Sequence, residues 1–191
     1  MNIELSKFGS ASPPSVLAQH WEELQGLWQI RCAAIMDQEY VASDIKALDA
    51  RIEAHVDGLL VGGKASIPLL LDGLKGEEEA VVVAVYVLLR FDDEEAADLV
   101  VIALREAKPD QLKAFCQSLC QSRLHLISDR LVEMYEHGPT LLAATVAEVF
   151  AYHGRLSENA SRLKKFYEDE DIEVRRAAWR ITALVGTEDK S

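Results

Sequence analysis

Apolar residues recur at helical intervals from Ser15 onward. Leu17, Trp21, Leu24, Trp28 and Ile35 fall on one side of a helix, so the pattern predicts a long amphipathic segment over 15–39. In the next segment Ser43 reads as the cap, Ile45, Leu48, Ile52, Val56 and Leu59 as the apolar stripe, and Gly62-Gly63 as the stop. Breakers and acidic turns then divide the chain into helical segments at 66–75, 77–91, 94–107, 110–121, 123–137, 140–153, 157–168 and 171–185. Alternate breaks at Glu77, Pro109, Pro139 and Glu170 lie 32, 30 and 31 residues apart. Two helices per period of that length predict an all-α, right-handed α-solenoid of about four helical hairpins, with about ten helices and no sheet. Residues 15–63 are expected to form an N-terminal helical cap, because the ends of such arrays need cover, and 64–186 the repeat array. Residues 1–14 and 187–191 read as tails, the first of them flexible.

Composition narrows the function classes. The 191 residues carry 20 Lys and Arg against 32 Asp and Glu, a formal charge of −12, which argues against general nucleic-acid or anionic-membrane binding. The longest apolar run, Ala80 to Leu89, is half the ~20 residues a membrane span needs, and the N-terminus shows no apolar signal region. Three cysteines, Cys32, Cys116 and Cys120, read as small buried thiols of a reducing compartment, so a cytoplasmic location is expected.

The last unit carries the most explicit pattern: Glu168-Asp169-Glu170-Asp171-Ile172-Glu173-Val174-Arg175-Arg176-Ala177-Ala178, closing on Leu184-Val185-Gly186. It resembles a HEAT repeat of the short bacterial kind, with an acidic turn, a Val-Arg-x-x-Ala core and a terminal Leu-x-Gly. The resemblance implies that Asp169 and Arg175 fill the positions that pair along the stack. The earlier units carry Val81-Val82, Leu112-Lys113 and Leu141-Leu142 there, without the arginine. Residues 48–59, Leu-Asp-Ala-Arg-Ile-Glu-Ala-His-Val-Asp-Gly-Leu, resemble the N-terminal signature of an uncharacterised proteobacterial family of HEAT-like proteins. That resemblance implies the fold and a bacterial cytoplasm, and no reaction.

Several residue groups could carry chemistry. His55 and Asp57 are two apart on a helix and point in different directions, so His55 reads as a packing residue. His125, Asp129, Glu133 and His137 step by four along the predicted 123–137 helix, within reach of a zinc ion pairwise, but the stripe drifts around the axis. Cys116 and Cys120 share one helix face. The acidic turns at 77–79, 92–95 and 168–173 favour helix capping and solvation, with a basic protein partner, and after it Ca²⁺, as the alternatives. The run 80–89 reads as a buried central helix, and otherwise as a partner surface. The outward positions of the second helices carry Tyr86 and Arg90, Lys113 and Gln117, Glu148 and Tyr152, and Arg176 and Arg180. Aromatic residues and Arg are enriched at interface hot spots, so this row is the candidate partner-binding face.

The expectation is a non-enzymatic protein–protein interaction module with no cofactor and no metal. It would serve as an adaptor, chaperone or immunity-type accessory protein, and a link to a bacterial secretion system fits the acidity and size. Its partner would be another protein with a basic surface, or a second copy, and neither nucleic acid nor membrane. The alternatives are a HEAT-like ligand-binding protein or lyase-type enzyme of the kind related to bilin lyases, and a purely structural homodimer. A cavity holding His55, Cys116 or Cys120 with a second titratable group would favour the enzyme.

Overall fold

The computed structural model describes residues 14–156 and 162–186. The expected tails therefore lie outside the described residues, except Pro14, which opens the first helix. Among the described residues there are ten α-helices and no strand: α1 (Pro14–Met36), α2 (Ala42–Gly62), α3 (Ile67–Gly73), α4 (Glu78–Arg90), α5 (Glu94–Glu106), α6 (Pro109–Cys120), α7 (Ser128–His137), α8 (Thr140–Tyr152), α9 (Leu163–Tyr167) and α10 (Ile172–Val185). The all-α expectation holds. No described helix is long and apolar enough to cross a membrane. The chain divides into two compact units, one ending at Phe91 and the other beginning at Asp92.

In the first unit α1 and α2 form an antiparallel hairpin, and α4 packs on both. Its register is fixed at both ends. Arg31 Nε donates to Asp49 Oδ1 at 2.5 Å, and the rings of His20 and His55 meet edge to face at 5.1 Å. Trp21 lies over Gly73 of α3, where an added Cβ would fall 2.7 Å from the indole Cζ2. Trp28 is buried against Tyr86 of α4, with ring centroids 5.1 Å apart. Val81 to Val85 and Val87 to Leu89 are all buried, which matches the central-helix reading of the 80–89 run. Each of the buried valine and leucine side chains contributes roughly 1.5–3 kcal/mol on leaving water.

In the second unit α8 is the central helix, packed against α6, α7 and α10, with α9 on α10. Ala143, Ala144, Ala147 and Ala151 are buried along it, and their small side chains let neighbouring backbones come close. Charge joins α5 to α7: Arg130 pairs with Glu94 and Asp98, and Arg105 with Glu133 at 2.6 Å. Arg162, just before α9, donates to the Tyr135 carbonyl of α7. The Asp171 carboxylate caps α10 by accepting the Glu173 N–H at 2.8 Å. Val174, Ala177, Ala178, Ile181 and Val185 form the inner face of that helix.

Several local expectations change. α1 stops at Met36, where an Asp37 turn takes over, and Ile35 points outward, 53% exposed. Ser43 lies inside α2, not at its cap. The N-cap position is Val41, and its N–H is bound by the Asp44 carboxylate at 3.1 Å. The segment 66–75 is preceded by a 3₁₀ turn at Gly63–Ala65 and runs as helix only over Ile67–Gly73. The 123–137 helix starts at Ser128, because Leu124 and Ile127 are buried from a tight turn in which Ile127 N–H bonds to Leu124 O. Of the 157–168 segment, 157–161 lie outside the described residues and Leu163–Tyr167 is helical.

Candidate protein-binding face

The expected row of outward residues separates into two groups, one in each unit. In the second unit it falls on α6, α8 and α10. Arg180 grips Glu148 with both arms of its guanidinium, Nε to Oε1 at 2.7 Å and NH2 to Oε2 at 2.9 Å. This planar fork is the geometry in which Arg and carboxylate bind most specifically. The Glu148 hydrogen bond raises the Arg180 pKa, so the guanidinium stays charged. One turn further along α8, Tyr152 is 54% exposed, while its neighbour His153 reaches back through Nε2 to the Leu119 carbonyl of α6 at 3.0 Å. On α10 Arg176 is exposed and pairs with Glu173 at 2.6 Å. Lys113 is exposed and Gln117 half-buried on α6.

In the first unit Tyr86 and Arg90 close onto Glu53 of α2. Tyr86 OH donates to Glu53 Oε1 at 2.7 Å, Arg90 NH2 donates to Oε2 at 2.7 Å, and Arg90 NH1 reaches both Oε1 and the Tyr86 oxygen at 3.2 Å. Burial and the Glu53 carboxylate push the Tyr86 phenol up to about 12. These two residues thus tie α4 to α2, and Glu53, absent from the expected row, is their common acceptor. The one sequence signal for it is a carboxylate beside Ile52 on the margin of an apolar stripe.

The remaining candidates are placed as follows. His55 Nδ1 lies 3.1 Å from His20 Nδ1, with Asp57 exposed. Burial, then the neighbouring His20, lower the His55 pKa, with Arg51 acting in the same direction and Glu23 against it. Cys116 is pushed well above its ordinary value, first by its hydrogen bond with Cys120 and then by burial and the Glu148 charge. It is therefore held as the thiol, a poor nucleophile and a poor metal ligand.

The four-step stripe breaks up because His125 precedes α7. His125 pairs with Asp92 at 2.8 Å, Glu133 with Arg105, and His137 lies beside Glu136. Among the described residues no group of three or more His, Cys, Asp or Glu could hold a metal ion. Two acidic turns act as caps: Asp93 accepts the Ala96 N–H at 3.0 Å, as Asp171 does that of Glu173. Arg175 bonds the main-chain carbonyls of Asp169 and Glu170 at 2.7 and 2.9 Å, while the Asp169 carboxylate takes the Asp171 N–H.

A groove of about 260 Å³ runs along α1 and α2, lined by Glu22, Glu23, Gly26, Leu27, Ile30 and Arg51. Neither His55 nor a cysteine lines it. Comparison of the chain with family models, curated proteins and solved structures gives no match.

Proposed function

We propose that the chain is a short right-handed α-solenoid of HEAT-like hairpins that binds another protein through the face carried by α6, α8 and α10, without catalysing a reaction. The observation behind this reading is that α8 packs between α6 and α10, with Arg180 of α10 forked onto Glu148 of α8. Three consecutive second helices thereby present one surface, the layer that a stack of helical hairpins uses for recognition. The ion pairs from α5 to α7 support the matching layer of first helices. On this surface Tyr152 supplies a half-exposed aromatic ring and Arg176 a cation whose exposed i,i+3 pair is worth little to stability, so a partner can recruit both. An adaptor, chaperone or immunity-type role in a bacterial cytoplasm fits a small acidic protein of this kind.

The test begins with an affinity pull-down from the native cell, followed by calorimetry with the partner it identifies. Tyr152→Ala and Arg176→Ala should each weaken that complex ~30-fold or more, as truncated hot spots do. Thermal stability should move by no more than ~0.5 kcal/mol, because both side chains are exposed. Wild-type affinity in both variants would place the binding face elsewhere.

A further inference from the structure

The outer side of α1 carries an unusual sequence for a solvent-facing helix surface. Gly26, Ile30, Ala33 and Met36 are all exposed, Ile30 at 48% and Met36 at 85%. They follow one another at helical intervals and so form a single small-and-apolar strip. Among the described residues nothing requires Gly26 to be glycine. Within α2, Gly58 admits the His20 ring and Gly62 the Leu17 side chain, whereas a Cβ on Gly26 would meet nothing within 4 Å. A glycine inside a helix is the least favourable choice after proline, so one with no internal close contact points to a close contact from outside.

The groove at this place also carries both signs of charge. Glu22 and Glu23 come from α1 and Arg51 from α2, and among the described residues none of the three belongs to an ion pair. A purely basic partner would be repelled by Arg51, and a purely acidic one by the glutamates. A surface that holds both signs across an apolar floor complements itself after a two-fold rotation.

We propose that this face joins two copies of the chain, α1 against α1, in an antiparallel crossing centred on Gly26. Glu22 and Ile30 lie four residues either side of Gly26, so the crossing sets Glu22 of each copy opposite Ile30 of the other. Glu22 and Glu23 of one copy then meet the Arg51 side of the other copy's groove. The missing side chain at Gly26 lets the two backbones approach closely, and Ile30 of each copy leaves water at the Glu22 end of the other's groove. This surface belongs to the first unit and shares no residue with the proposed α6–α8–α10 face, so either idea can fail alone.

Sedimentation velocity on the full chain, at concentrations up to ~200 µM, tests the proposal. The wild type should populate a dimer. Ile30→Arg and Gly26→Leu should each raise the dissociation constant ~30-fold or more. Gly26→Leu should at the same time raise the melting temperature of the monomer by about 2–4 °C, because leucine favours the helix and has room. Arg51→Glu should weaken the dimer, and adding Glu22→Arg and Glu23→Arg to the same chain should restore it. A wild type that stays monomeric throughout overturns the proposal, even if it captures a basic apolar peptide in the groove. So does a dimer indifferent to Ile30→Arg, or a charge-reversed chain that fails to recover.

Discussion

Gly62→Ala should destabilise the first unit by about 1–4 kcal/mol, an unusual cost for adding one methyl group. The added Cβ would lie 2.5 Å from Leu17 Cδ2 and closer still to Ser66 Oγ. Both neighbours are at or below 1% exposure and cannot swing into solvent. Overpacking of this kind costs ~1–3 kcal/mol. Ser66 Oγ also donates to the Leu59 carbonyl at 2.6 Å, and displacing it forfeits ~1 kcal/mol. The helix-propensity gain of alanine offsets less than ~1 kcal/mol, because Gly62 is the last residue of α2. Urea unfolding followed by tryptophan fluorescence reads the effect. In a Trp179→Phe background the signal comes from Trp21 and Trp28, both in the first unit; Trp179 is 68% exposed, so its replacement is nearly neutral. Leu17→Ala alone should cost ~2–5 kcal/mol, but it opens the space the new methyl needs. Gly62→Ala should therefore be at least ~1 kcal/mol milder in the Leu17→Ala background. Equal effects in the two backgrounds, or a Gly62→Ala midpoint indistinguishable from wild type, would refute the packing of Leu17 on Gly62.

Two further outcomes follow from the polar contacts of the same unit. His55 has a lowered folded pKa, so the unfolded chain takes up its proton first: stability is unaffected above pH ~6.5, then falls as pH drops from there to the folded value. His55→Gln should flatten that slope in urea titrations, and an unchanged slope would count against a partly buried His55 beside His20. Glu53→Gln should bring the Tyr86 phenol down from about 12 toward its ordinary range, though not all the way, because burial is the larger cause. Ultraviolet titration of the variant against Tyr86→Phe isolates that phenol, and no movement would mean that Glu53 does not accept its proton.

The longer helices were legible because they repeat an apolar interval over about three turns or more, and breakers with a mechanism bound them. Pro109 opens α6, and Gly63 closes α2 at φ +55°, in the left-handed region. The errors fell where side chains settle the matter locally. Ser43 is the residue type that caps helices and Val41 is not, yet α2 starts after Val41 because the Asp44 carboxylate binds the Val41 N–H. The stretch 123–127 carries a helical apolar spacing, yet Leu124 and Ile127 are buried from a turn. Periodicity records which residues are inside, and a tight turn can satisfy the same record as a helical one.

The candidate face shows the converse limit. A helical wheel gives the direction of Tyr86 and Arg90 from their own helix, and both do leave the apolar side of α4. It carries no information about what stands opposite, and Glu53, more than 30 positions earlier in the chain, takes both of their donors. Arg180 points outward by the same rule and meets Glu148, which the same wheel had also turned outward on α8. Here the two outward positions face each other across neighbouring helices, and the pairing leaves Arg180 about half exposed while the Glu148 side chain is 14% exposed. Pairing with Glu53 instead takes Tyr86 and Arg90 half out of solvent and ties two helices together. On the proposed face, recognition would fall to the exposed side chains beside this pair, Tyr152 one turn after Glu148 and Arg176 one turn before Arg180, which is why those two positions carry the binding test.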